Sequence, residues 1–228
     1  MTLTDELIHL RTALIDVDAP ISHALLPGLT DDEIIGLHNE VIPAITWAIP
    51  DDALEWWRFW GGAEPSRVPE DLPSETRKWC TQLSPTLDSF PLRRLLERFA
   101  YRLDMYEGLD VPVPDLRSGT FGLLGIESDG SFLAVHPDEA DQRVLISVKD
   151  DLGWLPLAEQ GRPPGSPSPT LTEWVRALAE AITEGRVAPR PYMDYINKDR
   201  SVERYADYPW GLKELPRDTP TTFHYCNN

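Results

Sequence analysis

The chain has 228 residues, which is long enough to bury a full hydrophobic core. Hydrophobic residues make up 41% of it and aromatic residues 9%, including eight tryptophans, and this composition excludes a disordered protein. The 21 lysines and arginines against 38 aspartates and glutamates give a net charge of −17, which argues against nucleic acid and anionic membrane surfaces as partners and favours a basic protein.

The sequence shows no signal for export or for membrane insertion. Its first ten residues, MTLTDELIHL, lack a basic segment followed by an apolar run, and no stretch approaches the roughly 18 consecutive apolar residues of a membrane span. Cys80 and Cys226 lie far apart in sequence, and reduced thiols are the simpler interpretation, although the fold could still pair them. We therefore expect a cytoplasmic protein.

Three helices are predicted in the first 62 residues. Thr4 is a good N-cap for the first of them. The capping-box sequence TDDE at residues 30–33 predicts the start of a second helix, which Pro43 should kink or end. Pro50 fits the first turn of a third helix, DDALEWWRFW, and the glycines at 61–62 mark its end.

The aromatic residues of the third helix have two interpretations. Trp56 and Trp60 are one helical turn apart and would share a face, whereas Trp57 would share a face with Ala53. At most one of these sets can then face the core, and the other could be exposed. We favour a core role for most of them, because aromatic residues anchor cores at least as often as they contact partners.

Residues 64–115 are predicted to form a helical insertion. Prolines interrupt its first part, and after Pro91 a longer amphipathic helix presents one broad apolar side and ends at Gly108. Cys80 lies in this segment beside Trp79. We interpret its thiol as a partly buried small hydrophobic group rather than a nucleophile.

Short apolar runs then predict an antiparallel sheet. Residues 121–126 and 131–135 flank Asp129-Gly130, a pair that favours a type I′ hairpin turn because this turn needs positive φ. Residues 143–148 supply a third strand, and residues 152–157 are a candidate fourth. A sheet of this kind has one face that a helix must cover.

The last predicted helix begins at the capping-box sequence TLTE, residues 170–173. Apolar residues follow at four-residue spacing until Gly185 ends the helix, and we expect this helix to pack on the sheet. Beyond it, residues 187–228 alternate prolines and tyrosines with charged residues, which is typical of a tail that wraps over a surface.

Three stretches carry a family resemblance. They are LTDDEIIGLHNEVIPAITWAIPDDALEWWRFWGG, GTFGLLGIESDGSFLAVHPDEADQRVLISVKDD and SPTLTEWVRALAEAITEGR. In this order they resemble the opening helices, the central hairpin and the closing helix of the SMI1/KNR4 family, also called the SUKH superfamily. The resemblance spans roughly residues 30–186, and the long insertion between residues 63 and 115 departs from the usual pattern.

The resemblance implies an α+β fold with a central, mostly antiparallel sheet of about four to six strands covered by helices. We divide the chain accordingly into an N-terminal helical extension at 1–29, a SUKH-like domain at 30–186 with its insertion around 64–115, and the tail at 187–228. In that family no catalytic activity is generally assigned. Bacterial members often act as immunity proteins that neutralise a cognate toxin, frequently a nuclease or deaminase, and fungal members regulate cell-wall synthesis through protein contacts.

The residue patterns give little support to catalysis. His136 and the acidic residues after it form the densest set of potential metal ligands, but no second His or Cys lies at ligand spacing, so a solvated turn is the simpler interpretation. Neither a phosphate-binding loop of the G-x-x-x-x-G-K-[ST] type nor a G-x-S-x-G nucleophile motif occurs. We therefore predict no enzymatic activity, no metal and no cofactor.

Two acidic groups follow predicted strands without capping a helix. Together with one tryptophan they would form a negative rim that meets a basic toxin surface, and a merely solvated face is the alternative. The residues of this predicted rim are Asp138, Glu139, Asp141, Asp150, Asp151 and Trp154. The sequence thus predicts an immunity-type protein that binds a basic toxin domain. The alternative is an intracellular scaffold or regulator of the SMI1/KNR4 type.

Overall fold

The computed structural model describes twelve parts of the chain: residues 1–43, 49–72, 77, 80–83, 87–108, 122–127, 132–135, 144–147, 154–156, 169–185, 192–196 and 202–206. They contain both helices and antiparallel strands, so the fold is α+β. None of the helices in these parts combines the length and the apolarity that crossing a membrane requires.

Helix α1 (Leu3–Asp16) begins after Thr2 rather than after Thr4, so the predicted N-cap is wrong. The Thr2 hydroxyl accepts a hydrogen bond from the Asp5 amide, and the Asp5 carboxylate accepts one from the Thr2 amide at 2.8 Å. This reciprocal pair is a capping box. The Thr4 hydroxyl is engaged elsewhere, because it donates to Glu55 on another helix.

The next elements follow the predicted order up to residue 59. The capping box at Thr30 is present, and α2 (Asp31–Val41) ends ahead of Pro43. Helix α3 spans Asp51–Phe59, and the chain then becomes extended instead of continuing as a helix to the glycines. Strand β1 (Leu25–Pro27) pairs antiparallel with β2 (Trp60–Ala63).

Five further strands pair antiparallel, each with the next in chain order. They are β3 (Leu87–Asp88), β4 (Gly122–Glu127), β5 (Phe132–Val135), β6 (Val144–Ser147) and β7 (Trp154–Pro156). The last four lie where strands were predicted, and β3 adds a short strand from the segment interpreted as an insertion. The hairpin turn predicted at Asp129-Gly130 lies outside the described residues.

Two long helices complete the core. Helix α4 (Leu92–Gly108) has the predicted extent, and Phe99 meets Phe132 of β5 edge to face with ring centroids 5.2 Å apart. Helix α5 (Leu171–Thr183) has the predicted capping box at Thr170. Its main packing partner is α1, whereas α3 and α4 contact β4, which corrects the expectation that the last helix covers the sheet.

The buried hydrophobic residues of the described chain form one cluster that joins α1, α3, α4, α5, β4 and β5. Helix α3 lies close against β4, since the indole N–H of Trp57 donates to the Leu123 carbonyl at 2.8 Å. A Cβ placed on Gly122 would lie 2.0 Å from the Cβ of Ala53, so only glycine permits this approach. This contact fixes the position of α3 against β4. It thereby fixes where the tryptophans and carboxylates of α3 lie.

Within the segment interpreted as a tail, β8 (Tyr192–Ile196) pairs antiparallel with β9 (Val202–Ala206) through five consecutive residue pairs. No strand was predicted here. The segments YMDYI and VERYA contain tyrosines, an isoleucine and a valine, which favour strands, whereas the prolines nearby favour an irregular tail. The division of the chain into extension, domain and tail stays a prediction.

Candidate functional site

The predicted negative rim falls almost entirely outside the described residues. This holds for Asp138, Glu139, Asp141, Asp150 and Asp151, and also for the rejected metal ligand His136. Trp154 is the first residue of β7, where its backbone pairs with Ser147 of β6. The rim therefore stays a prediction.

The tryptophans around α3 all belong to the core. Trp56, Trp57 and Trp60 are at most 2% exposed, so the expectation that only one of the two sets can face the core is wrong. Helix α3 is covered on two sides, by β4 and by α1, and Trp60 no longer follows the helical period because it begins β2. Trp47 lies outside the described residues.

These rings contact one another directly. Trp56 meets Trp60 edge to face at 5.0 Å between centroids, and Trp174 of α5 lies 6.1 Å from Trp56 in a tilted arrangement. Phe59 is half-buried and meets Trp60 at 5.4 Å. The tryptophans are therefore structural, because faces buried in this way cannot stack on a base or a sugar.

Three carboxylates at the start of α3 form what we call the acidic surface of α3: Asp51, Asp52 and Glu55. Burial raises the pKa of Asp52 above its usual value, and the negative charges of Glu55 and Asp51 raise it further. Like charges are thus held together on a single helical turn although they repel each other. A carboxylate whose pKa is perturbed by both burial and neighbouring charge is typical of functional sites.

Two carboxylates of α2 already have guanidinium partners. Arg58 of α3 donates to Asp31 at 2.7 Å, and this bond lowers the pKa of Asp31. Arg93 of α4 donates through two nitrogens to Glu40, each at 2.8 Å, and lowers the pKa of that carboxyl. These pairs tie α2 to α3 and α4. The bond with Asp31 raises the pKa of Arg58, and the nearby charges of Asp51 and Glu55 raise it further.

Buried titratable groups elsewhere have structural explanations. Burial lowers the pKa of His38 to about 4, so the ring is neutral at physiological pH. Burial raises the pKa of Cys80 to about 11, and its Sγ donates to the Arg77 carbonyl at 3.0 Å. A thiol in this state is a poor nucleophile, which agrees with the interpretation of Cys80 as a buried hydrophobic group.

Asp88 of β3 is largely buried, and desolvation raises its pKa, although a hydrogen bond from the Thr81 hydroxyl at 2.7 Å acts in the opposite direction. Across the described ranges, no three His, Cys, Asp or Glu side chains come together in a group that could hold a metal ion. Of the carboxylates whose pKa is raised, Asp52 belongs to the acidic surface of α3 and Asp88 lies on β3.

The local sequence explains Asp51 and Asp52 as favourable charges at a helix start, so it does not mark the acidic surface of α3. Its distinguishing features are tertiary. The hydrogen bond from Thr4 to Glu55 depends on where α1 packs, and the pKa of Asp52 depends on its partial burial in the folded chain. The sequence contains one signal of this surface. Asp51 and Glu55 carry the same charge and are four residues apart, so they are neighbours on the surface of a helix.

No protein-family model matches this sequence, and no curated protein matches it.

Proposed function

We propose that this chain is a non-enzymatic protein-binding module, an immunity protein of the SMI1/KNR4 type that neutralises a basic toxin domain. The observation that carries this proposal is the acidic surface of α3, where burial and repulsion by Glu55 and Asp51 raise the pKa of Asp52. A cationic side chain of a partner would relieve that repulsion. Binding would therefore gain free energy that the isolated protein lacks.

The net charge of −17 supports the same partner class. A strongly negative field steers a cationic protein toward the surface and raises the rate of encounter, while it disfavours nucleic acid and anionic lipid. A toxin that acts on nucleic acid, such as a nuclease or a deaminase, needs a basic substrate-binding surface. An acidic protein bound to that surface would block access of the substrate, and no catalysis by this chain is required.

We also propose that the fold is SUKH-like, with the strands β3 to β7 as its central sheet. The order of α2, α3, the hairpin strands and α5 supports this assignment because it follows the three stretches that resemble the family. The predicted rim of Asp138, Glu139, Asp141, Asp150, Asp151 and Trp154 would then be a second acidic contact. A cytoplasmic location, where a toxin acts on cellular nucleic acid, belongs to the same proposal.

The test is capture of the protein encoded by the adjacent gene, together with protection of cells that express that protein. A triple variant, Asp51→Asn, Asp52→Asn and Glu55→Gln, should weaken capture at least tenfold and remove protection. The matched control changes three exposed carboxylates elsewhere, Asp16→Asn, Glu97→Gln and Asp104→Asn, and removes the same charge. The proposal would be refuted if the wild-type chain neither captured the neighbouring protein nor protected cells from it.

The second candidate is an intracellular scaffold or regulator. The pairing of β8 with β9 favours it, because a two-stranded ribbon has edges to which a partner strand can add. Deletion of residues 187–228 would then abolish a cellular phenotype in the absence of any neighbouring toxin gene. An unchanged phenotype after this deletion would leave the immunity role as the better account.

A further inference from the structure

A cleft of about 450 Å³ lies beside the pair of strands β1 and β2. Residues 25–28 form one wall, and Phe59 and Trp60 line the part where α3 passes into β2. Two arginines complete the lining, Arg11 from α1 and Arg67 from a 3₁₀ turn that follows β2. The cleft thus combines aliphatic and aromatic side chains with two positive charges.

The two positive charges of the cleft have no carboxylate partner among the described residues. Arg11 and Arg67 are exposed, and neither forms an ion pair with any residue that the structure describes. Arg58, Arg93 and Arg176, by contrast, each bind a carboxylate. In a protein with 38 acidic residues against 21 basic ones, two arginines from separate elements line a single cleft, and none of its described lining residues is acidic.

The shape of the cleft is fixed by the backbone. A Cβ on Gly28 would lie 1.7 Å from the Arg58 carbonyl oxygen, and a Cβ on Gly61 would lie 2.6 Å from the Pro27 carbonyl oxygen. Only glycine therefore allows β1 to lie so close to the end of α3 and to β2. The wall is formed before any ligand arrives, and a preformed site loses little entropy on binding.

The lining specifies the chemistry of an occupant. Small-molecule sites have volumes of roughly 300–1,000 Å³ and combine apolar groups with a few polar ones; the volume of this cleft lies in that range, and its lining contains both kinds of group. Guanidinium groups bind carboxylates and phosphates through paired hydrogen bonds. The half-buried ring of Phe59, supported edge to face by Trp60, offers an apolar surface for a flat group.

We propose that this cleft binds a small molecule that carries a carboxylate or a phosphate group on a flat apolar body. Arg11 and Arg67 hold the anionic group, and Phe59 with the residues of β1 contacts the body. This inference goes beyond the proposed function, because its ligand is a small anion whereas the proposed partner is a cationic protein. Neither inference depends on the other.

The test is isothermal titration of the full chain with four probes: benzoate, phenyl phosphate, the uncharged benzamide and inorganic phosphate. We expect benzoate or phenyl phosphate to bind at millimolar concentration or below, and benzamide to bind at least tenfold more weakly. Arg11→Gln and Arg67→Gln should each weaken binding of the anion at least tenfold. Arg93→Gln, which changes an exposed arginine outside the cleft, should leave binding unchanged.

The same titrations separate the contributions of charge and shape. Stronger binding of phenyl phosphate than of benzoate assigns the anionic group as phosphate, and the reverse order assigns it as carboxylate. Inorganic phosphate should bind more weakly than phenyl phosphate, because it makes no contact with Phe59. Arg11→Gln and Arg67→Gln should melt as the wild-type chain does, since both side chains are exposed.

Three results would overturn the proposal. The first is the absence of binding by both aromatic anions at millimolar concentration. The second is binding that survives the double variant Arg11→Gln, Arg67→Gln. The third is equal binding of benzamide and the anions, which would show that the guanidiniums play no part. None of these results affects the capture and protection experiment, so the two proposals fail independently.

Discussion

Arg176 on α5 donates a hydrogen bond of 2.7 Å to the carboxylate of Glu6 on α1, across a sequence separation of 170 residues. The Glu6 side chain is fully buried, whereas the side chain of Arg176 is 37% exposed. A buried carboxylate needs a partner, because its removal from water is costly. The pair thus fixes how the first helix of the chain packs against α5.

Removing the arginine should destabilise the protein more than removing an exposed one. Arg176→Met leaves the Glu6 carboxylate buried without its partner, and we expect the melting temperature to fall by several degrees. The double variant Glu6→Met, Arg176→Met should recover part of this loss, since it removes the buried charge as well. Arg11→Met on the exposed side of α1 is the control. Equal melting temperatures for Arg176→Met and the control would contradict this account.

His38 should make the stability depend on pH. Its pKa is about 4 in the folded protein and near 6.5 when unfolded, so the unfolded chain binds more protons between these values. The free energy of unfolding should therefore fall as the pH drops from 6.5 to 4, by about 3 kcal/mol from this group alone. In His38→Gln the free energy of unfolding, measured by urea titration between pH 4 and 6.5, should lack this part of its dependence on pH. Parallel curves for both proteins would contradict the assignment.

Replacement of glycine by alanine should change the free energy of unfolding in opposite directions at two positions. Gly122→Ala places a methyl group against Ala53 and should cost about 1–3 kcal/mol in the free energy of unfolding, as overpacking does. Gly36→Ala meets no atom within 4 Å in α2 and should stabilise the protein by about 0.5–1 kcal/mol. Denaturant titration of both variants tests the contact between α3 and β4. An unchanged free energy of unfolding for Gly122→Ala would contradict the close contact between α3 and β4.

Cys80 should be unreactive in the folded chain. Its pKa of about 11 and its burial leave almost no accessible thiolate at neutral pH. In a Cys226→Ser variant, a thiol-specific chromogenic reagent should label Cys80 only after denaturant is added. Rapid labelling of the native variant would show that the thiol is accessible.

The parts of the fold that short sequence signals determine were predictable. The capping boxes at Thr30 and Thr170 are formed by residues three positions apart, so their sequence is sufficient to identify them. The first helix shows the limit of this reasoning. Thr2 and Thr4 are both acceptable caps by residue type. Thr2 is the cap, and the Thr4 hydroxyl instead donates to Glu55, which lies 51 positions further along the chain.

Burial on more than one side was not predictable from helical periodicity. Trp56 and Trp57 point in different directions from α3, and both are buried because the helix lies between α1 and β4. Asp52 on the same helix is partly buried, and this burial raises its pKa. The sequence predicted an acidic binding protein, but the position of the acidic surface depends on tertiary contacts that no local pattern contains.

The most direct test of the central claim is the rate of association between this chain and the protein encoded by the adjacent gene, measured at low and at physiological ionic strength. An acidic protein that is steered to a basic toxin domain should associate rapidly at low salt and markedly more slowly as salt screens the charges. A rate that does not change with salt, or no association at all, would contradict the account.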